Sequence, residues 1–186
     1  MRQYWEHEYD VVDISWQTKR DNRDKIIKSN LVATCGLDLK VILWNIEKET
    51  PEMIFEQKDA PVCISFHPEL ENIFVTGSLD QIIRRWSIDQ PDMCLEEIHV
   101  SDDITALAFQ PNGKRFIVGL STGTCNIYQC DDLGRLNWWT KIDCKNRSGK
   151  FALGRKVSGI QFINQKEVII TTNDSRLRIV NVDECL

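Results

Sequence analysis

The chain has 186 residues, of which 42% are hydrophobic and 27% are charged, and its formal net charge is −5. This composition is typical of a globular domain with a hydrophobic core, and it excludes collagen-like and wholly disordered chains. The acidic balance argues against broad electrostatic binding of nucleic-acid phosphates, so we expect no nucleic-acid partner.

Sequence signals for membrane insertion and for secretion are both missing. No run of about 18 consecutive apolar residues occurs, and the first eight residues are too polar for the apolar region of a signal peptide. Seven cysteines is an odd number, and several of them lie in apolar runs where a reduced Cys behaves as a small hydrophobic residue. We therefore expect a cytoplasmic protein without an integral membrane segment.

Short β-type runs recur along the chain, separated by turn residues. In chain order the predicted strands are 11–16, 31–34, 38–44 and 53–55, then 62–66, 73–76, 80–86 and 94–98, then 104–109, 116–118, 122–128 and 136–139, and finally 157–162, 168–171 and 174–180. Residues 3–5 are a candidate for one further strand. Because no long segment keeps a helical apolar pattern, helices are expected to be rare.

These runs follow a repeat. Trp44 and Trp86 each close a segment that begins with Asp six residues earlier, they lie 42 residues apart, and Tyr128 follows after another 42. A fourth copy of the segment ends at Val180. The chain therefore divides into four units, at about 1–50, 51–92, 93–135 and 136–186.

The segment between the first two predicted strands, residues 17–30, mixes both charge signs with few apolar residues. This composition predicts a plain surface loop.

Units of this length, with a Trp that ends the third strand, resemble WD repeats, which stack radially as the blades of a β-propeller. The resemblance implies an all-β, WD40-type β-propeller built from four four-stranded units. In such repeats His, Ser or Thr, Asp and Trp form a hydrogen-bonded set, here called the blade lock, because a buried Asp is costly unless its oxygens find donors. The first unit carries the full blade lock, with His7, Thr34, Asp38 and Trp44.

The other units keep less of the blade lock. The second retains Thr76, Asp80 and Trp86 but has Gln57 in the His position. The fourth retains Asp174 and ends in Val180. The third lacks the set, since its corresponding residues are Val100, Val118, Thr122 and Tyr128.

Several stretches resemble one branch of the WD-repeat proteins more closely. They are Asp-Val-Val-Asp-Ile-Ser-Trp at 10–16, Phe-His-Pro-Glu at 66–69, Gly-Arg-Lys-Val-Ser-Gly-Ile at 154–160 and Thr-Asn-Asp-Ser-Arg-Leu-Arg at 172–178. With Ile-Val-Gly at 117–119 and the basic insertion between the third and fourth units, they are similar to the WD repeat-containing protein 44 family, known as rabphilin-like effectors of a Rab GTPase. The resemblance spans nearly the whole chain.

That resemblance implies a non-enzymatic scaffold for protein partners in Rab-linked vesicle or endosomal traffic, with membrane association through a partner. The family's Rab-contacting region is placed outside the propeller, so the resemblance assigns Rab binding to no residue of this chain. The family's propeller has about seven blades, so we expect these four units to be part of a seven-bladed propeller. Association that covers the open end faces, or closure as a four-bladed ring, would be the alternatives.

A generic WD-repeat adaptor, such as a ubiquitin-ligase substrate receptor or a signalling scaffold, is the alternative function. Such receptors usually carry Trp-Asp-x-Arg after the third strand. In this chain Asn45 follows Trp44 and Ser87 follows Trp86, which argues against that function.

A basic segment, residues 141–156, concentrates six positive charges in an otherwise acidic chain. It connects a fourth strand to the next first strand, on the rim that WD-type propellers commonly use for partners. Charge-assisted hydrogen bonds to a phosphate or an acidic peptide could come from Lys145, Arg147, Lys150, Arg155 and Lys156. A solvated loop without a partner is the alternative.

Arg85 is a further candidate, because its counterparts in the other units are apolar, namely Leu43, Ile127 and Ile179. A buried guanidinium must find a carboxylate, extend to water or meet a partner. A structural ion pair is the favoured interpretation.

Catalytic and metal sites are not expected. The three histidines, His7, His67 and His99, lie far apart and none has a Cys or second His at ligand spacing. No Gly-x-Ser-x-Gly nucleophile elbow occurs. We therefore predict no enzymatic activity, no cofactor and no structural metal.

Overall fold

The computed structural model describes residues 6–20, 26–48, 50–144 and 156–184. The chain divides into two compact units, Met1–His99 and Val100–Leu186. The regular structure within these described ranges consists of fifteen β-strands and one 3₁₀ turn, Val182–Glu184.

The first unit contains two four-stranded antiparallel sheets. The first sheet has the order β1-β2-β3-β4, with strands Val11–Arg20, Ile26–Gly36, Lys40–Asn45 and Pro51–Glu56. The second sheet has the order β5-β6-β7-β8, with strands Pro61–Phe66, Ile73–Ser78, Ile82–Ser87 and Glu96–His99. Each strand pairs with its neighbour in the chain, as short turns between antiparallel strands require.

The second unit contains the other two sheets. The third sheet has the order β9-β10-β11-β12, with strands Ile104–Phe109, Arg115–Leu120, Thr124–Cys130 and Leu136–Asp143. The fourth has three strands in the described part of the chain, β13-β14-β15, at Val157–Phe162, Glu167–Thr172 and Arg176–Asn181. The predicted all-β repeat is thus confirmed, while the candidate strand at residues 3–5 lies outside the described residues.

The prediction of a surface loop over residues 17–30 is wrong, because β1 continues to Arg20 and β2 starts at Ile26. Thr18 pairs with Lys28 and Lys19 pairs with Ile27 beyond a bulge that follows Trp16. A polar sequence reports how exposed the side chains are, but the ladder uses only backbone hydrogen bonds, which any non-proline residue can form.

Two hydrogen bonds explain why polar residues of this hairpin are nevertheless buried. Ser29 Oγ donates to Gln17 Oε1 at 2.5 Å, and Gln17 Nε2 donates to the Glu71 carbonyl in the second sheet, also at 2.5 Å. The lengthened hairpin is therefore connected to the neighbouring blade.

The core of the first unit lies between its two sheets. Alternation along each strand turns one face of the first sheet towards the opposite face of the second. The packed side chains include Ala33, Leu43 and Phe55 from the first sheet and Phe74 and Trp86 from the second. Phe55 meets Phe74 edge-on, with ring centroids 4.9 Å apart.

The second unit has a corresponding core of its own. It contains Ile117, Cys125 and Ile127 from the third sheet with Val157 and Ile170 from the fourth, all essentially inaccessible to solvent. The approach is close at Gly119, where an added Cβ would lie 2.6 Å from Val157 Cγ1. A side chain at that position would therefore separate the two sheets.

The turn between the second and third strands has the same form in every sheet. A residue with positive φ follows the same turn position in each, namely Leu39, Gln81, Gly123 and Ser175. This form resembles a type I turn extended by one left-handed residue. It presents the preceding side chain, Asp38, Asp80, Thr122 or Asp174, towards the neighbouring strands.

Candidate functional site

In the first sheet, His7 connects the turn to the strands. His7 Nδ1 lies 2.9 Å from Asp38 Oδ2, and His7 Nε2 lies 2.8 Å from Thr34 Oγ1. Trp44 Nε1 donates to the same Thr34 hydroxyl at 2.8 Å. The side chains of His7 and Asp38 are only 5% and 2% exposed. The structure therefore brings all four residues of this predicted blade lock into one network.

A neutral His7 with its proton on Nδ1 satisfies each group of this network. His7 then donates to the Asp38 carboxylate, while the Thr34 hydroxyl donates to Nε2 and accepts from Trp44.

The Asp38 carboxylate also accepts the backbone amides of Glu8 at 3.1 Å and Lys40 at 3.3 Å. Burial by itself would raise the pKa of Asp38. The hydrogen bonds from His7 and from these amides outweigh burial and lower the pKa below its ordinary value. The site is therefore built around an ionised carboxylate.

The second sheet keeps half of this arrangement. Trp86 Nε1 donates to Thr76 Oγ1 at 3.1 Å, and the Thr76 hydroxyl lies 3.4 Å from Gln57 Oε1. The buried Gln57 Nε2 has no hydrogen-bond partner among the described residues. Asp80 is not joined to this group, so the structure separates it from Thr76 and Trp86.

Asp80 instead binds Arg84, whose side chain is only 1% exposed. Arg84 Nη1 donates to Asp80 Oδ1 at 3.2 Å and to Ser78 Oγ at 3.1 Å, while Nη2 contacts the other oxygen of Asp80. Arg84 Nε donates to Glu97 Oε1 at 3.1 Å. Burial would lower the pKa of Arg84, but the two carboxylates raise it. A guanidinium thus replaces the imidazole as the partner of the turn aspartate.

The fourth sheet uses the same replacement. Arg178 Nη1 donates to Thr172 Oγ1 at 2.7 Å, and Arg178 Nη2 lies 3.5 Å from Asp174 Oδ2. The Thr172 hydroxyl in turn donates to Asp174 Oδ1. The hydrogen bond from Thr172, followed by the charge of Arg178, lowers the pKa of Asp174.

The two arginines occupy equivalent places. Arg84 lies opposite Thr76 and Arg178 lies opposite Ile170, where the first sheet has Ile42 opposite Thr34. This second form of the network was not predicted from the sequence. The signal that could have found it is the spacing Asp-x-x-x-Arg, which occurs at 80–84 and 174–178 but not at 38–42.

The identity of the residue two places before the turn aspartate depends on whether His or Arg binds that aspartate. It is Gly36 where His is the partner, and an added Cβ there would lie 2.7 Å from His7 Nδ1. It is Ser78 or Thr172 where Arg is the partner, and each hydroxyl accepts a guanidinium hydrogen bond. The two forms therefore have different steric requirements at this position.

The third sheet holds neither form of the network. Thr122 Oγ1 donates to Asp102 Oδ2 at 3.3 Å. Val118 and Tyr128 are buried, and burial raises the pKa of Tyr128. This sheet relies on apolar packing at the positions where the others carry polar networks.

Arg85 finds a carboxylate, which is one of the three outcomes considered for it. Its Nε donates to Glu96 Oε2 at 3.0 Å, and the residue is buried. The pair joins β7 to β8, where Arg85 and Glu96 are register partners.

Most of the predicted basic site, namely Lys145, Arg147, Lys150 and Arg155, lies outside the described residues. Lys156 is described and exposed. The two flanks of the segment are fixed by backbone hydrogen bonds, from the Cys144 amide to the Gly123 carbonyl at 2.9 Å and from the Asn173 amide to the Lys156 carbonyl at 3.0 Å. Both flanks therefore lie beside turns that join second and third strands.

Two clefts in the described part of the first unit border these networks. One, of about 440 Å³, lies on the first sheet and is lined mainly by apolar residues, including Tyr9, Ile14, Trp16 and Trp44. The other, of about 540 Å³, is lined by charged residues around Trp86, including Lys40, Lys58, Arg84 and Glu97. Arg84 and Lys58 both bind Glu97, so charges in the second cleft are already paired.

Over the described ranges, no three His, Cys, Asp or Glu side chains are grouped to hold a metal ion. In the same part of the chain, no helix has the length and apolar character needed to cross a membrane.

Comparison with known proteins places these sheets in a class. Residues 49–87 and 93–129 match the family model described as WD domain, G-beta repeat. A solved structure, the computationally designed Ika4 protein, is similar with a TM-score of 0.67 and 18% identity, over 97% of this chain and 96% of that one. The chain is therefore an all-β protein built from WD40 repeats, a class that generally mediates protein–protein interactions.

Among curated proteins, WD repeat-containing protein 44 of Xenopus laevis is 31% identical over 182 residues, which is 96% of this chain and 18% of that protein. An uncharacterized WD repeat-containing protein of Schizosaccharomyces pombe is 27% identical over 94% of this chain and 29% of its own length. The chain is thus similar to WD repeat-containing protein 44, and it spans less than a third of the length of these relatives.

Proposed function

We propose that this chain is a non-enzymatic scaffold that presents residues 145–156 of the basic segment to a protein partner. The observation that carries the proposal is the position of the segment's flanks. Cys144 and Lys156 are both held by backbone hydrogen bonds next to turns, at Gly123 and Asn173. Binding residues are often carried by loops that a rigid scaffold positions, and both ends of this segment are attached to such a scaffold.

The charge of the segment indicates the chemistry of the partner. Lys145, Arg147, Lys150, Arg155 and Lys156 carry positive charge in a chain whose net charge is −5. Such a cluster suits an acidic or phosphorylated peptide, because guanidinium and ammonium groups form charge-assisted hydrogen bonds with carboxylates and phosphates.

The cellular setting we propose is Rab-linked vesicle or endosomal traffic in the cytoplasm, with membrane association through a partner. Similarity to WD repeat-containing protein 44 over 96% of this chain supports it. The chain corresponds to 18% of that relative, so the proposal assigns Rab binding to none of its residues.

Charge reversal tests the partner site. The variant Lys145→Glu/Arg147→Glu/Lys150→Glu should lose at least about tenfold in partner recovery by affinity purification, since rim charges control encounter and charge-assisted bonds control retention. The matched control is Lys114→Glu/Arg135→Glu/Lys166→Glu, which makes the same change in charge at exposed residues next to other turns. The control should recover partners as the wild type does.

Equal recovery by both triple variants would overturn the partner site. The setting is tested separately by proximity labelling in cells, with the proteins labelled by the wild-type chain compared with those labelled by the basic-segment variant. Enrichment of Rab-associated vesicle proteins is expected for the wild type, and their absence would refute the proposed role in traffic.

A further inference from the structure

The fourth strand of the third sheet, β12, is a long edge strand. It has eight residues, Leu136–Asp143, whereas the fourth strands of the first two sheets, β4 and β8, have six and four. It pairs with β11 on one side, and no described strand pairs with its other side, here called the outer edge. Unpaired backbone groups at such an edge can bind a further strand, which is why proteins commonly shorten or block their edge strands.

The edges of β4 and β8 are shortened or blocked, but the edge of β12 is not. β4 begins with Pro51, which has no amide hydrogen, and the ladder of the first sheet ends there, at the bulge after Leu43. β8 is only four residues long. β12 contains no proline, and its ladder continues past the corresponding bulge for three further pairs, from Trp138 to Leu136.

The register shows which backbone amides of β12 face the outer edge. The Cys144 amide donates to the Gly123 carbonyl, so these two residues are a hydrogen-bonded pair of the antiparallel ladder. Every second pair is of this kind, so Ile142 and Thr140 also direct their amides towards β11. The amide of Lys141, which lies between them, therefore points to the outer edge.

The charges of the three strands indicate which peptide suits the outer edge. β4 and β8 each contain two glutamates and neither Lys nor Arg. β12 contains the exposed Lys141, and its one carboxylate, Asp143, is its last residue. The basic segment, residues 141–156, begins on this strand. Because like charges on adjacent strands repel and opposite charges attract, an acidic strand suits β12 better than the other two edges.

We propose that the outer edge of β12 binds an extended acidic peptide as an added β-strand. The Lys141 amide donates one hydrogen bond of the new ladder, and the Lys141 ammonium pairs with a carboxylate of the peptide. Trp138, which is 63% exposed, offers an aromatic surface to an apolar side chain of the peptide. The outer edge extends the proposed partner site and rests on the proposed function for the acidic character of the partner.

Fluorescence anisotropy with defined peptides tests this assignment. The probe is a set of fluorescein-labelled octapeptides with Glu at alternate positions and Val, Ile or Phe between them, and a set with Lys in place of Glu is the charge control. Lys141→Pro removes the outward amide, whereas Lys141→Ala removes the same charge and keeps the amide. Binding of the Glu peptides should be at least about tenfold weaker for Lys141→Pro than for Lys141→Ala.

Ile54→Pro is the matched control. The Gln57 amide donates to the Leu39 carbonyl, so Ile54, which pairs with Ile42, holds in β4 the place that Lys141 holds in β12. This variant should bind the Glu peptides as the wild type does. Circular dichroism should show that all three variants keep their strands, since proline is tolerated at an edge position whose amide faces solvent.

Amide hydrogen exchange of the wild-type chain, followed by NMR, gives a measurement that needs no variant. The Glu peptides should slow exchange of the Lys141 amide at least about fivefold, because the added strand accepts its hydrogen bond, and should not change exchange of the Ile54 amide. Unchanged exchange at Lys141, or equal binding by Lys141→Pro and Lys141→Ala, would overturn the proposal. A wild-type chain that binds neither peptide set, or binds both equally, would also overturn it.

The triple charge-reversal variant of the partner site, measured with the same peptides, separates the outer edge from the proposed function. If the triple variant loses binding and Lys141→Pro does not, the partner site is supported and the outer edge is rejected. If Lys141→Pro loses binding and the triple variant does not, the outer edge is supported and the partner site is rejected.

Discussion

Arg84 binds Asp80 in the second sheet as His7 binds Asp38 in the first. The guanidinium donates to Asp80 Oδ1 at 3.2 Å, and the imidazole Nδ1 lies 2.9 Å from Asp38 Oδ2. The two aspartates occupy the same turn, but their partners come from different places. Arg84 lies on the third strand of its own sheet, whereas His7 precedes the first strand. One chain therefore satisfies the equivalent turn carboxylate in two ways.

Replacement of Arg84 by Leu should destabilise the chain. The variant leaves Asp80 without its guanidinium partner and removes the hydrogen bond that Glu97 accepts from Arg84. We therefore expect the free energy of unfolding to fall by about 1–3 kcal/mol. The figure is at the lower end for buried pairs because both carboxylates are partly exposed, at 21% and 32%. Urea denaturation measures it.

Lys58→Leu is the control for this experiment. Lys58 also binds Glu97, at 3.0 Å, but its side chain is 75% exposed, so its removal should cost less than about 1 kcal/mol. If both variants lost the same free energy of unfolding, the burial of Arg84 would make no contribution to the strength of its ion pairs.

The His form of the network should replace the Arg form only if the residue two places before the turn aspartate is changed as well. Gln57→His with Arg84→Ile should remain destabilised, because the Cβ of Ser78 occupies the space that Gly36 leaves free beside His7. Addition of Ser78→Gly to this double variant should raise its free energy of unfolding. The change should exceed the change that Ser78→Gly causes in the wild type by at least about 1 kcal/mol. A double-mutant cycle by chemical denaturation gives the coupling, and an additive result would refute the steric argument.

Gly36→Ala should destabilise the first sheet by about 1–3 kcal/mol, because the new methyl group would lie 2.7 Å from His7 Nδ1 and 2.8 Å from Asp38 Oδ1. The same substitution in a His7→Ala background should cost clearly less, since the closest of these contacts is gone. Thermal unfolding of the four proteins provides the comparison. A cost independent of His7 would instead assign the effect to the two other contacts, with Asp38 Oδ1 and with the Asp10 carbonyl, which lies 3.1 Å from the new methyl group.

Stability should fall in acid partly through Asp38. Its pKa in the folded chain is below the ordinary value of 3.8, so the unfolded chain takes up the proton first as the pH falls. The stabilisation is therefore complete above that value and is lost as the pH falls through the folded-state pKa. Asp38→Asn does not titrate, and its free energy of unfolding should decline less over this window than that of the wild type.

Asp132→Asn, at an exposed turn residue, is the control for the acid experiment. Its free energy of unfolding should depend on pH as that of the wild type does. Parallel curves for the wild type and Asp38→Asn would contradict the contribution of the Asp38 carboxylate.

Several features were predictable because they depend on local pattern. The period of 42 residues and the short β-type runs between turn residues predict strands at the right places. The Asp-x5-aromatic segment marks the turn and third strand of the first two sheets, and its incomplete copies at 122–128 and 174–180 mark those of the other two. The blade-lock residues of the first sheet could be named from their spacing, and the structure places all four within hydrogen-bond distance.

The hairpin at residues 17–30 shows where local pattern fails. Its charged composition predicts a loop, but Gln17 and Ser29 are buried because their side chains bond to each other and to Glu71 in the next sheet. A partner 54 positions away in the sequence leaves no mark on the local composition.

The sequence by itself determined the number, order and turns of the strands, because side-chain alternation and turn chemistry act between near neighbours in the chain. Only the tertiary structure decided which cation satisfies each turn aspartate and which apolar faces are covered. Those outcomes depend on side chains that separate strands and sheets bring together, as Arg84, Asp80 and Glu97 are brought together in the second sheet. They also depend on packing, which buries Ile64 and leaves its equivalent Ile14 in water.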